Sequence, residues 1–378
     1  MMKSFIELGL DSNIVDALEK QGITEPTEIQ HLTIEKILEN KDVIAESYTG
    51  SGKTLAFLCP IFQKVNSEKR EMQVLVLAPT HELVMQIEAQ AKLLASNGNL
   101  PITSLPIIGD VNIEKQIKKL KEIKPHIIVA TPGRALDLMK KKKITAHTIK
   151  TIVIDEGDNL LDNTNSGTVK DIIKCTMRDR CLLVFSATIS PKVLFTAREL
   201  MKEPEIIKNE KKAALNPNIK HMYIEVDPRD KVETLRKLIS AVEPKKALVF
   251  VNRGYEVDLA TEKLNYHSIP SLSIHKKVTK EQRQKAIESF RSGKIKVLVS
   301  SDVSARGLDI QDITHVINLD FPTNASEYLH RAGRTARAGA TGKTISLVTS
   351  KEMAAIRIYE REFNINIEKK NLSHGKLN

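Results

Sequence analysis

Residues 45–54, AESYTGSGKT, follow the short apolar run Asp42–Val43–Ile44 and open into the apolar stretch LAFLCPIF. That order is a strand, a tight loop and the start of a helix. In such a loop Gly50 and Gly52 let successive backbone N–H groups face phosphate oxygens, Lys53 reaches the outer phosphates, and the Thr54 hydroxyl can ligand Mg2+. The amino end of the helix behind the loop adds partial positive charge. Ser47 stands where the usual pattern opens on glycine. A second Gly–Lys–Thr, at 342–344, runs into the strand-like ISLVT and reads as an ordinary turn.

Two further groups suit the same chemistry. The apolar run TIVID ends in Asp155–Glu156, followed by Gly157 and Asp158. Beside a phosphate loop, Asp155 is expected to hold Mg2+, directly or through water, and Glu156 to orient or deprotonate the attacking water. An acidic helix cap is the alternative reading, and Lys53 upstream favours the chemical one. In YLHRAGRTARAG, Arg331, Arg334 and Arg337 recur every third residue, which places them near one face of a helix or helical turn. Arginines that reach a γ-phosphate from a second domain stabilise the transition state by a factor of about 10³ to 10⁵.

These residues need elements to position them. Leu8, Ile14, Leu18, Ile29, Leu32 and Ile37 fall on helical spacing broken by Gly22 and Pro26, so two helices precede the first strand. Gln30 lies in the second, and its amide suits the N6 and N7 edge of adenine. QVLVLAPT, PITSLPIIGD, HIIVATPGR, TIVIDEGD and CLLVFSAT are apolar strands ending in loops, separated by helical stretches. Alternating buried strands and helices predict an α/β fold, with a mostly parallel sheet covered on both faces and ligands at the carboxyl ends of its strands.

The pattern then breaks at the lysine- and asparagine-rich NEKKAALNPNIKHM and restarts at ALVFVNR, PSLSIH, KVLVSSDVSARGLDI, THVINLDFP and TISLVTS. A weak internal repeat pairs VLVLAPT with ALVFVNR. Two tandem α/β domains of similar architecture are therefore expected, 1–207 and 219–378, joined by a linker at 208–218. The second half lacks its own phosphate loop, so one nucleotide site is expected to serve both.

Lys and Arg total 58 against 47 acids, a formal charge of +11, which favours a polyanionic partner. The basic residues concentrate at 115–124 and 139–143. No apolar run approaches membrane-spanning length and no leader pattern opens the chain, so no membrane association is expected and the cytoplasm is the expected location. Cys59, Cys175 and Cys181 have no metal-like spacing and are read as reduced thiols.

In this order, across nearly the whole chain, the motifs resemble those of the DEAD-box RNA helicases of superfamily two. The resemblance implies two tandem RecA-like domains and an RNA-dependent ATPase that uses ATP and Mg2+. Its glutamine motif is similar to Gly22–Pro26–Thr27–Gln30 with an outlying Phe5, and its phosphate loop to residues 47–54, adding Thr49 and Ser51 to the nucleotide contacts. RNA contacts are implied for Pro79, Thr80, Gly109, Thr131, Pro132, Gly133 and Arg134 in the first half, and for Asn252, Arg253, Ser301 and Asp302 in the second. Asp158, Ser186, Thr188, His330 and Arg331 are implied to couple hydrolysis to RNA handling. Gly307 and Asp309 are implied at the nucleotide, and Arg334 and Arg337 as the arginine fingers.

The chain departs from the family pattern at Gly157 for Ala, His81 for Arg, Asp110 for Gly, Ser301 for Thr, Ile23 for an aromatic and Ala336 for Gly. Gly157 removes one methyl group and is expected to leave the carboxylates in place. His81 and Asp110 predict weaker RNA affinity in the first domain. The expected action is closure of the two domains, in a monomer, over ATP and sequence-nonspecific RNA, single-stranded or in a short duplex, with protein partners supplying any targeting. An ATP-gated RNA clamp with little unwinding is the alternative, and a DNA-acting motor a more distant one.

Overall fold

The structure, a computed structural model, describes residues 3–48, 50–109, 111–162, 166–208, 215–301, 310, 312–336, 340–373 and 375–378. The chain divides into two compact units, Met1–Glu210 and Lys211–Asn378. The first carries strands β1 Val43–Glu46, β2 Val74–Leu77, β3 Ser104–Ile107, β4 Ile127–Ala130, β5 Thr151–Asp155, β6 Cys181–Ser186 and β7 Glu205–Lys208. They form one sheet in the order β3-β4-β2-β5-β6-β1-β7, with every pairing parallel. Both faces are covered, so the strands are apolar throughout, and alternate residues enter two different cores. Val43 and Ala45 join Phe57, Val76 and Phe185 on one face. Ile44 joins Leu75, Leu77 and Val184 on the other.

The second unit repeats the plan with β8 Ile219–Glu225, β9 Ala247–Phe250, β10 Ser271–Ile274, β11 Val297–Ser300, β12 His315–Asn318, β13 Gly342–Val348 and β14 Ile367–Lys369. The order is β10-β11-β9-β12-β13-β8-β14, again parallel throughout. Alternate residues again enter two cores, Val249 and Val299 on one face of the sheet and Leu248 and Phe250 on the other. The expected parallel α/β architecture is present in both units.

Three strands of these two sheets were not evident from the sequence. β7, β8 and β14 lie at or next to sheet edges, and two of them carry only one buried residue or none. A half-wet edge strand lacks the continuous apolar run by which its neighbours are read. The expected linker at 208–218 falls mostly on residues outside those described; Lys208 closes β7, while Leu215 is buried and Asn216 donates to the Ala336 carbonyl.

Three histidines are buried in the second unit, His275 beside the Asp258 carboxylate, and His221 and His315. His221 shares a hydrogen bond of 2.9 Å between its Nδ1 and the Tyr328 hydroxyl, and the His315 Nε2 is buried without a partner. Burial pushes the His221 and His315 imidazoles down to about 4, with Lys343 adding to the effect at His315. A folded value below the unfolded one means that each favours folding above about pH 6.5, and that this stability is lost as pH falls toward 4. Between pH 7 and 5 the loss is roughly 2 kcal/mol per histidine at most. Asp155 in the first unit is pushed up to about 6, so its contribution runs in the opposite sense. There is no tryptophan, and five of the six tyrosines (all but Tyr48) lie in the second unit. Tyrosine emission in urea should therefore report a lower midpoint at pH 5 than at pH 7. An unchanged or higher midpoint would count against neutral, buried histidines.

Candidate active site

The phosphate-loop residues leave β1 at its carboxyl end. Gly50 and Gly52 have φ of 89° and 94°, left-handed values that a side chain disfavours. Gly52 is the N-cap of the helix Lys53–Lys64, and a Cβ there would lie 2.6 Å from the Gln30 Nε2. Gln30 is buried; its Nε2 donates to the Gly52 carbonyl at 3.1 Å and its Oε1 accepts from the Thr27 N–H at 2.9 Å. The glutamine thus fastens the helix Glu28–Leu38 to the loop. The Lys53 Nζ donates to the Ser47 and Tyr48 carbonyls at 2.6 and 3.2 Å, holding the ammonium over the loop. The Ser51 hydroxyl is buried with no hydrogen-bond partner, as suits a loop built to surround a phosphate oxygen.

Asp155 ends β5 two strands away from β1, with β6 between them. It is 4% exposed, and burial pushes its carboxyl up to about 6 against the opposing pull of Lys53. A buried carboxylate that costs energy to ionise fits a divalent cation as its countercharge. No cluster of three or more metal-ligating side chains occurs among the described residues. Glu156 has φ of 51°, so the chain turns sharply as it leaves the strand.

Asp158 and β6 close the arrangement. The Asp158 N–H donates to the Ser186 hydroxyl at 2.9 Å, the Thr188 hydroxyl donates to the Asp158 carboxylate at 3.1 Å, and the Ser186 hydroxyl donates to the Thr188 carbonyl at 2.7 Å. The Ser47 N–H donates to the Ser186 carbonyl at 2.9 Å. Ser186 therefore touches both the DEGD turn and the phosphate loop. Glu46, which sequence reasoning missed, joins them: its half-buried carboxylate accepts from the Ile189 N–H at 3.3 Å, and burial raises its affinity for a proton. Its position just before the loop was the available signal.

Gly157 is not a neutral departure. A Cβ there would lie 2.7 Å from the Val184 Cγ1, a fully buried methyl group. Overpacking costs about 1–3 kcal/mol, against a gain of about 1 kcal/mol from helix propensity. Gly157→Ala is thus expected to lower stability in urea by about 1 kcal/mol, with a smaller loss in a Val184→Ala background. Equal losses in both backgrounds would mean that Val184 is not the obstacle.

Other expected site residues sit at the carboxyl ends of β2, β3 and β4. The Thr80 hydroxyl caps the helix His81–Asn97, and Pro132 opens the helix Pro132–Lys140, after its N-cap Thr131. Gly133 is exposed, and a Cβ would meet nothing within 4 Å, so its backbone is open to a ligand. His81 accepts from the Gly109 N–H at 3.3 Å, and Arg134 donates to the carbonyls of Gly109 and Val111 and to Gln116. Both side chains hold Gly109, and Arg134 holds Val111 as well. Asp110, Thr49, Asp302, Gly307, Asp309 and Arg337 lie outside the described residues. Phe5 is buried in the core with Leu8 and Ile14, while Ile23 packs against the same cluster and stays partly exposed.

In the second unit Arg331 and Arg334 do not lie on one continuous helix, and Arg337 lies outside the described residues. The helix Ala325–Ala332 ends before Arg334, and Arg331 turns inward with 1% exposure, donating to Asn318, Asn252 and the Asp320 carbonyl. Spacing alone cannot tell an inward arginine from an outward one. Arg334 is 5% exposed, and its Nε donates to the His330 carbonyl at 3.3 Å. Arg253 is 70% exposed, and the Ser301 N–H donates to the Ile274 carbonyl.

A cleft of about 750 Å3 in the first unit lies at the opposite, amino ends of the strands. Its charges largely satisfy one another. Lys150 pairs with Asp179 at 2.6 Å, Lys41 with Glu205 at 3.3 Å, and Asp42 accepts from two backbone N–H groups. The nucleotide site is assigned to the carboxyl ends, where the phosphate loop and Asp155 meet.

A parallel sheet with a phosphate loop at its carboxyl edge, followed by a second parallel sheet without one, defines a nucleotide-binding protein of the tandem RecA-like class. The DEAD/DEAH box helicase family matches residues 27–196, and the helicase conserved C-terminal domain matches 230–339. The chain is 40% identical to the DEAD-box ATP-dependent RNA helicase CshC of Bacillus cereus over 96% of its own length and 92% of that protein's. It is 41% identical to the probable ATP-dependent RNA helicase YfmL of Bacillus subtilis, over 94% and 93%. Dbp5 of S. cerevisiae, solved bound to RNA and ADP BeF3, superposes with a TM-score of 0.88 at 29% identity, covering 97% of this chain and 95% of that one. This chain belongs to the DEAD-box helicase family. No helix among the described residues is long and apolar enough to cross a membrane.

Proposed function

We propose that the protein is an ATP-dependent RNA helicase of the cytoplasm, acting as a monomer, in which 1–207 serve as the ATP-binding domain and 219–378 as the C-terminal helicase domain. The observation that carries this reading is the Ser186 junction, which joins the phosphate loop to the DEGD turn through Ser47 and Asp158. Within it Gly50, Ser51, Gly52 and Lys53 bind the phosphates, and Glu156 orients or deprotonates the attacking water. Thr54 and Asp155 hold Mg2+, partly through water, and the ion supplies countercharge to the phosphates. Arg334, with Arg337, stabilises charge on the γ-phosphate. Thr49, Gly307 and Asp309 complete the nucleotide contacts.

RNA is held through phosphates and 2′-hydroxyls by Pro79, Thr80, Gly109, the Thr131–Arg134 turn, Asn252, Arg253, Ser301 and Asp302, without reading sequence. A short RNA duplex with a fluorescent strand tests this: ATP should drive strand release, and an all-DNA duplex should not be released. Release of both duplexes alike would contradict the RNA reading, and ATP turnover without release of either would identify an ATP-gated clamp.

A further inference from the structure

Asp320 lies just past β12, outside every segment singled out above for chemistry, yet three elements of the second unit meet on it. Its carboxylate Oδ2 accepts from the Asn252 N–H at 2.9 Å, and its carbonyl accepts from the Arg331 Nη1 at 2.7 Å. Arg331 returns to Asn252, donating from Nη2 to the side-chain oxygen at 2.7 Å, and its guanidinium carbon lies 5.0 Å from the centre of the Phe250 ring. The triangle Asp320–Asn252–Arg331 thus joins the turn after β9 to the helix Ala325–Ala332. The other carboxylate oxygen, Oδ1, lies 3.5 Å from the Lys231 Nζ, which is also 3.6 Å from Glu352. Glu352 accepts from the Thr349 N–H and hydroxyl at 2.8 and 2.7 Å. Lys231 and Asp320 are 12% and 21% exposed, so solvent screens their attraction little.

We infer that Asp320, steadied by Lys231, is a positioning residue that locks the Asn252–Arg253 turn to the arginine-bearing helix, so that the RNA-facing and nucleotide-facing segments of the second unit move as one body. Each contact does a separate part. The carboxylate fixes the turn, the carbonyl and Asn252 together fix the buried guanidinium, and Lys231 keeps the carboxylate from swinging out to water. The inference rests on the helicase reading for its effect on activity, but the lock itself is a property of the second unit alone.

Two readouts on the full chain test it. In Asp320→Ala, hydrogen exchange should speed up at least fivefold in both 247–253 and 325–334, while β13 keeps wild-type protection. The RNA concentration for half-maximal ATPase stimulation should rise about tenfold, with the ATP KM within twofold of wild type. Asp320→Asn retains an acceptor for the Asn252 N–H and should recover most of both effects. Lys231→Met should weaken RNA stimulation in the same direction and add little to Asp320→Ala. A merely structural role predicts fewer active molecules and an unchanged half-saturation. Wild-type exchange in either segment of Asp320→Ala overturns the lock. If the wild-type chain shows no RNA stimulation while exchange responds as stated, the helicase reading fails and the lock stands.

Discussion

Glu156→Gln should lower ATP turnover by a factor of about 10² to 10⁴, the range for loss of a positioned general base. Glutamine keeps the size and the backbone turn at φ 51°, but loses the carboxylate. ATP affinity should stay near wild type, because the groups assigned to the phosphates, Lys53 and the loop N–H donors, are untouched. Measuring kcat and nucleotide affinity separately checks this. An equal loss of affinity would point to a disturbed loop, and undiminished turnover would remove Glu156 from the chemistry.

Arg334→Ala should be as severe, lowering kcat by about 10³ or more if the guanidinium meets the γ-phosphate in the transition state. The residue sits just beyond the helix Ala325–Ala332 and is held through the His330 carbonyl, an arrangement suited to a fixed donor. Arg334→Lys keeps the charge but not the planar fork, and should recover little. Because Arg334 is 5% exposed, its removal could also loosen the second unit, so the tyrosine-detected urea transition should be read on the same sample. A fall in kcat with an unchanged transition assigns the effect to chemistry. Wild-type kcat in Arg334→Ala would remove it as a finger.

Much of this was legible from residue order. The phosphate loop and the DEGD turn are contiguous stretches, and their partnership follows from a strand preceding each. The central strands are apolar throughout because helices cover both faces, which made the fold class readable. What could not be read depends on contacts distant in sequence. Gly157 answers to the Val184 methyl group, His81 to the Gly109 N–H, and Gln30 to the Gly52 carbonyl as well as to any base. Arg331 shows the limit most plainly: a three-residue arginine period looks like a cationic face, yet Asn318, Asn252 and the Asp320 carbonyl draw this one into the core. Edge strands such as β7 were hidden for the opposite reason, since solvent on one side permits polar residues in a strand.

The most direct test of the account is steady-state ATP hydrolysis by the full chain with and without single-stranded RNA. Turnover that rises severalfold with RNA, saturates, and vanishes in Glu156→Gln is the predicted result. Turnover indifferent to RNA at every concentration, or none in the wild-type chain with saturating RNA, would contradict it.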